Sequence, residues 1–412
     1  MINSYFRESY DILCHIYKDR MYSNIALKNA YSHPQKNTIL KIVNGVLENN
    51  FLLLHIIDDI TNKTPRLSVK ILLMQSIYCI VKLQMNANSI KTMSLAILEE
   101  IGKEKVSDFV SFALSKVVHG EYIIPNDSSQ KSLEIQFNAP FWLIKMLKKD
   151  YPKAYKKILQ SKTYDRVHIR LSSDKGQKEF EKRCNDYIKT LSGYFVQIDN
   201  AIKEYLDRGD AFVQSLTSTY AVMALGDVRD KDVLDVCSAP GGKSVFLASR
   251  GANVTACDIH PHRLELVKGY GQKAKVKLNV VEQDGIVFNP EWKNAYDCIL
   301  VDAPCSGLGV TSKRADILLN RKEDDIAELC TLQHAIINNA ARYLKRGGIL
   351  VYSTCTVLKR ENDDIIEKFL QENPDFILQK IEALPYNNNG TLQFIPNNEG
   401  LDGFYIARMV KK

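Results

Sequence analysis

The sequence predicts a multidomain chain: an all-α bundle at the front, a small α+β domain in the middle, and an α/β domain with a mostly parallel sheet at the end. Three observations carry this. The apolar periodicity is helical from Met1 to about Gly120. A basic segment of mixed patterning follows. From about Ala211, short apolar runs alternate with helical stretches, the pattern of strands joined by crossover helices. A length of 412 residues suits two or three domains, and the boundaries fall at 1–125, 126–210 and 211–412.

In the front domain, "SVKILLMQSIYCIVKLQ", "TMSLAILEEI" and "VSDFVSFALSKVV" repeat apolar residues every three or four positions, and Pro34 and Pro65 fall between helices. The polar stretch "PNDSSQKS" reads as a linker. In the middle domain, "APFWLIKMLKKDYPKAYKKIL" is a basic helical stretch interrupted at Pro152, and "RVHIRLSS" alternates as a strand does. Residues 131–210 hold 17 Lys/Arg against 11 Asp/Glu, most of the net charge of +7. Trp142, Tyr151 and Tyr155 lie among these lysines. A basic stretch with interleaved aromatics suits RNA, through phosphate charge and base stacking. A solvated lysine-rich face, with the aromatics in its packing, explains the same residues.

The apolar fraction of 45% and the charged fraction of 25% are those of an ordinary soluble protein. Arg7, Glu8 and Asp11 stand where a signal peptide needs its apolar stretch. No apolar run approaches the ~20 residues of a membrane span. The expected location is the cytoplasm. No two of the nine cysteines are spaced Cys-x-x-Cys, so neither a structural zinc nor any other metal is expected. Cys14, Cys79, Cys184 and Cys330 read as ordinary buried thiols.

The last domain carries the chemistry. "LDVCSAPGGKSVFLA" is strand, glycine turn and helix, in which Gly241 and Gly242 allow a sharp turn and close approach to a ligand. The next strand ends at Asp258, about 20 residues on, where an acidic residue can hold a ribose diol. A third strand offers Asp284 and a fourth Asp302. A nicotinamide dinucleotide would want Gly-x-Gly-x-x-Gly, whereas this turn is Ala-Pro-Gly-Gly. The turn followed by three acidic strand ends fits S-adenosylmethionine. Two further strands end in "VDAPCSGLGV" and "VYSTCTVLKRENDD", and each places a thiol, Cys305 or Cys355, just beyond its end.

"CSAPGGK", "DAPCSG" and "STCTVLKREN" resemble the motifs of the RNA 5-methylcytosine methyltransferases. The helical front end, "APFWLIKMLKKDYP" and "EGLDGFYIARM" are similar to segments of that family's bacterial ribosomal Sun/RsmB type, so the resemblance covers nearly the whole chain. It implies a NusB-like RNA-binding domain in front and a Rossmann-like class I methyltransferase domain behind. It implies that Cys237, Ser238, Ala239, Pro240, Gly241, Gly242 and Lys243 contact S-adenosylmethionine, as do Asp258, Asp284 and Asp302. It further implies that Cys355 is the nucleophile and that Cys305 assists product release. Asp302, three residues before Cys305, is placed to serve the target base at N3. For Lys243, orienting the base or Asp302 and merely starting a helix are both open. The chain departs from the family at Ser172, Ser215, Ala315 and Leu318, which bears on substrate contacts. The implied partner is ribosomal RNA, and a monomer is expected. A transfer RNA methyltransferase and a non-catalytic RNA-binding assembly factor are the alternatives. The pair of thiols speaks against the second, because a binding protein needs neither.

Overall fold

The computed structural model describes residues 4–173 and 176–412. The chain forms two compact units, Met1–Gln160 with Thr311–Arg321, and Ser161–Val310 with Lys322–Lys412.

The first unit is helical. Its central helix, Leu67–Val81, is apolar on every side and almost wholly buried, as expected for a helix enclosed by others. Helices Ser4–Lys18, Lys36–Glu48, Asn50–Ile60, Ala87–Glu100 and Ser107–Val118 all contact it. Its buried polar residues bond to neighbouring helices: Gln75 donates to the Phe6 carbonyl at 2.8 Å, and the Ser76 and Ser94 hydroxyls lie 2.8 Å apart. Among the described residues no single helix is long and apolar enough to cross a membrane.

The unit does not stop at residue 125, where the sequence suggests a boundary. Helices Gln130–Phe137 and Phe141–Asp150 continue it. Asn138, in a left-handed conformation between them, accepts from the Phe51 N–H at 3.2 Å and donates to the Leu47 carbonyl at 3.0 Å. Those bonds fasten the basic helices to the bundle. Residues 126–210 are therefore divided at Gln160: helices Gln130–Phe137, Phe141–Asp150 and Tyr155–Leu159 lie in the first unit, and helices Gln177–Arg183 and Asn200–Arg208 lie with the strands of this segment in the second. The segment Thr311–Arg321 also belongs to the helical unit. Its buried Asp316 accepts from the Ser23 hydroxyl at 2.6 Å, and Ala315 packs against the helical core.

The second unit contains two sheets. The smaller has strands β1 (Val167–Leu171), β2 (Tyr187–Lys189), β3 (Tyr194–Val196) and β4 (Ala211–Val213), in the order β2-β3-β1-β4 and antiparallel throughout. The larger has β5 (Asp232–Asp235), β6 (Asn253–Asp258), β7 (Asn279–Glu282), β8 (Tyr296–Asp302), β9 (Leu344–Thr354), β10 (Phe376–Leu378), β11 (Thr391–Phe394) and β12 (Phe404–Lys411). Its order is β10-β12-β9-β8-β5-β6-β7, with β11 paired to β12. Strands β5 to β9 are parallel and β12 is antiparallel to β9. Apolar clusters cover both faces, the arrangement of a Rossmann-like sheet. The chain leaves β5 with β8 on one side and β6 on the other. Such a reversal of strand order opens a crevice at the carboxyl ends of the strands.

Candidate active site

Strand β5 ends at Asp235, which is fully buried. The next residues cross toward β6, where the Ser238 N–H donates to the Cys257 carbonyl at 2.7 Å, and Gly241 N–H closes the turn on the Ser238 carbonyl at 2.8 Å. Gly241 has φ +111°, and a Cβ there would come within 3.0 Å of Val267 Cα, so only glycine fits. Helix Gly242–Ser249 starts immediately after it. Asp235 accepts from the Ser244 hydroxyl at 2.6 Å, and burial pushes its carboxyl up to about 7. Burial also keeps the Cys237 thiol protonated, well above its ordinary range.

This loop fits S-adenosylmethionine by its own chemistry. It is a backbone cradle, with a buried Ser238 hydroxyl and a buried Asp235 carboxylate oxygen that have no partner among the described residues. Asp258 lies beside it at the end of β6, 3% exposed. Its carboxylate accepts from the His260 N–H at 3.1 Å and pairs with Arg263 at 3.1 Å. Arg263 also donates to the Ala239 carbonyl at 3.2 Å, tying the acidic strand end to the turn. Sequence reading passes over Arg263, although it stands five residues beyond Asp258. Asp284 is less integrated. Its carboxylate accepts from the Ile286 N–H at 3.1 Å, and the adjacent Gln283 N–H reaches the Asp258 carbonyl at 3.3 Å. Asp258→Ala should weaken S-adenosylmethionine binding about 10- to 100-fold, the loss of charge-assisted hydrogen bonds. Calorimetry showing unchanged affinity would remove Asp258 from the pocket.

The remaining expected residues meet at the ends of β8 and β9. The Sγ atoms of Cys305 and Cys355 lie 3.2 Å apart as free thiols. The hydrogen bond to Cys355, and then burial, raise the Cys305 thiol well above its ordinary range. Lys243 Nζ lies 2.7 Å from one oxygen of Asp302, and the Ser353 hydroxyl donates to the other at 2.8 Å. Burial pulls the Lys243 ammonium down, but the charge of Asp302 outweighs it and the lysine stays raised, with Cys355 contributing in the same direction. Lys243 thus forms a part-buried ion pair with Asp302 at the start of its helix.

What holds the two cysteine loops together is invisible in a motif search. Glu361, fully buried, accepts from the Ser306 N–H at 2.8 Å, the Ser306 hydroxyl at 2.5 Å and the Gln333 amide at 3.0 Å. Gln333 also donates to the Pro304 carbonyl at 2.9 Å. Asn362 accepts from the Thr354 hydroxyl at 2.6 Å and donates to the Thr356 carbonyl at 3.2 Å. One buried carboxylate and one buried amide therefore fix the residues that flank both thiols. Glu361→Ala leaves the buried Ser306 N–H and a Gln333 amide N–H without this acceptor, while the Ser306 hydroxyl keeps the Thr356 hydroxyl at 2.9 Å; each such loss costs about 1–3 kcal/mol. Thermal unfolding should show a fall in stability of at least about 2 kcal/mol. A melting temperature equal to wild type would contradict this clasp.

The small sheet also reaches the cofactor loop. Arg170, 1% exposed, donates to Gln214 at 2.8 Å and to the Gly242 carbonyl at 3.3 Å, between the rings of Phe212 and Phe246. Burial lowers its guanidinium to about 10. Ser172 donates to the Gly209 carbonyl, and Ser215 caps helix Leu216–Met223 by accepting from Ser218 N–H at 3.4 Å. Both are local backbone roles. Leu318 is partly exposed in the Thr311–Arg321 segment of the helical unit.

The fold, the glycine turn and the acidic strand ends define an S-adenosylmethionine-dependent methyltransferase. The chain belongs to the RsmB/F family of 16S rRNA methyltransferases, whose model matches residues 222–410. It is 33% identical to ribosomal RNA small subunit methyltransferase B of Shewanella oneidensis over 69% of each chain. It is 29% identical to the probable ribosomal RNA small subunit methyltransferase B of Bacillus subtilis strain 168, over 98% of this chain and 97% of that one. Among solved structures, PH0851 matches over 98% of this chain and 99% of its own, with a TM-score of 0.83 at 21% identity. NSun6 from Pyrococcus horikoshii matches over 65% of this chain and 97% of its own, with a TM-score of 0.55 at 19% identity. Those two share its fold.

Proposed function

We propose that this protein methylates carbon 5 of a cytosine in 16S ribosomal RNA through a covalent bond between Cys355 and carbon 6 of the base. The observation that carries this is the thiol pair, 3.2 Å apart, beside the Lys243–Asp302 ion pair. Its relatives' names supply the RNA.

Carbon 5 of cytosine is a poor nucleophile. Addition of the Cys355 thiolate to carbon 6 forms an S–C bond and shifts the C5=C6 electron pair onto carbon 5. Negative charge then spreads toward N3 and O2. Asp302 accepts at both oxygens, from Lys243 and Ser353, and so suits the exocyclic N4 amino group. Lys243 has protons beyond the one given to Asp302 and suits N3 or O2. This moves the N3 role from Asp302 to its partner. Residues 237–243, Asp258, Asp284 and Asp302 would hold S-adenosylmethionine, which would supply an electrophilic methyl group; as carbon 5 takes it, the methyl–sulfonium bond breaks and S-adenosylhomocysteine leaves. Elimination then requires removal of the carbon 5 proton. Its electron pair restores C5=C6 and expels Cys355 as thiolate. Cys305 takes that proton, directly or through water. The hydrogen bond to Cys355 favours the Cys305 thiol before attack; once the thioether has formed, Cys305 gives that proton to water, and the resulting thiolate accepts the carbon 5 proton.

The target base must leave its stack to reach such a site. The NusB-like helical unit, with Lys145, Lys148, Lys149, Lys153, Lys156 and Lys157, holds the RNA as a monomer. Binding of full-length protein to 16S rRNA fragments should fall steeply with salt, by about 0.7–0.9 log units per log unit for each phosphate contacted. Salt-independent binding would contradict phosphate docking. The target is tested with tritiated S-adenosylmethionine and either a 16S rRNA transcript or bulk transfer RNA. Label in the 16S transcript is expected. Label in transfer RNA alone would make the protein a transfer RNA methyltransferase.

A further inference from the structure

The helical unit carries a groove that none of this chemistry uses. It lies between the 61–66 turn, the 102–106 turn and helix Ser107–Val118, and encloses about 640 Å³. Its floor is apolar, with Val69 and Ala113 buried and Phe109 half-buried. Phe112 stands on its wall, 61% exposed, an unusual outlay for a large aromatic on a helix. Lys116 Nζ lies 5.1 Å from the centre of that ring. Lys63, Arg66, Lys103 and Lys105 line the same groove. Against these five cations stands one carboxylate, Glu104, and none of the five is ion-paired among the described residues. An apolar slot with an exposed ring, rimmed by unpaired cations, matches a ligand that is flat and apolar in one part and polyanionic in another.

We propose that this groove binds a single-stranded segment of the substrate RNA, with an unstacked base on Phe112 and the flanking phosphates on the lysines and Arg66. The inference rests on the reading of RNA as substrate. Charge complementarity favours RNA over an apolar peptide, which would leave five cations without partners. Bases stack on aromatic side chains whatever their identity, whereas the cations set salt dependence. The two groups of residues therefore have separable signatures. The groove contains none of the residues assigned to the reaction, so it affects capture of the substrate rather than its conversion.

The test uses the full chain and a fluorescein-labelled single-stranded 12-mer oligoribonucleotide, followed by anisotropy across a salt series. Phe112→Ala should raise Kd about tenfold, the loss of one stacked base, and leave the salt slope unchanged. Phe112→Trp should restore binding. Lys103→Ala with Lys105→Ala should weaken binding and flatten the slope by about 1.4. In methylation assays on 16S rRNA, Phe112→Ala should raise KM with kcat retained. Wild-type affinity and slope in both variants would overturn the proposal. So would a poly-glutamate peptide whose binding, unlike that of RNA, depends on Phe112, since the groove would then serve an acidic protein. If the wild-type protein binds the 12-mer through Phe112 but adds no methyl group to 16S rRNA, the proposed reaction fails and this groove stands.

Discussion

Cys355→Ala should abolish methylation, whereas Cys305→Ala should leave the protein bonded to methylated RNA. The difference follows from the order of bond changes. Without Cys355 no S–C bond forms and carbon 5 is never activated, so turnover falls to background and no adduct appears. Without Cys305 attack and methylation proceed, but the carbon 5 proton has no acceptor beside it and Cys355 is not expelled. On a denaturing gel with radiolabelled 16S rRNA and S-adenosylmethionine, Cys305→Ala should give a retarded protein–RNA band. Cys355→Ala and the double variant should give none. The 3.2 Å separation makes the two thiols near neighbours, so their roles rest on chemistry and not on which one the RNA can reach. A retarded band with Cys355→Ala in its place would exchange the two assignments.

Lys243→Met should lower kcat by about 10²- to 10³-fold, the usual effect of removing a preorganised charge from a developing anion. S-adenosylmethionine affinity should change much less, because the turn is built by backbone bonds and by Gly241. The variant also leaves the Asp302 carboxylate with Ser353 but without its 2.7 Å cation, so some stability is lost. Adding Asp302→Asn should recover that stability without recovering turnover. Turnover stays low in the pair because Asp302 also serves the base, so the combination reports on stability alone. Full activity in Lys243→Met would move the N3 or O2 contact elsewhere.

Much of the second unit is legible in the sequence, for a physical reason. Strands buried on both faces read as continuous apolar runs, and β5, β6, β8 and β9 each end in a polar residue or thiol at the crevice. Strands β10 and β11, three and four residues long, are too short for a period to register. The division of the middle segment is not legible, because it rests on contacts distant along the chain. Asn138 bonds to residues 87 and 91 positions away, and Ser23 meets Asp316 across 293. The thiols and acidic strand ends announce themselves by type and place. Glu361 and Asn362 stand inside a recognisable stretch, yet their part in holding both cysteine loops emerges only when Ser306 and Thr354 are brought to them. Lys243 is ambiguous as a letter, and its ion pair with Asp302, 59 positions away, emerges only in the fold.

The central claim is the position of the methyl group on the base, and nucleoside analysis tests it most directly. A 16S rRNA transcript incubated with the purified protein and S-adenosylmethionine is digested to nucleosides and separated by liquid chromatography with mass detection against authentic standards. The account predicts that the new methylated nucleoside co-elutes with 5-methylcytidine, and that it is absent when Cys355→Ala replaces the wild-type protein. A product that co-elutes with N4-methylcytidine or 2′-O-methylcytidine, or 5-methylcytidine formed equally well by Cys355→Ala, would contradict it.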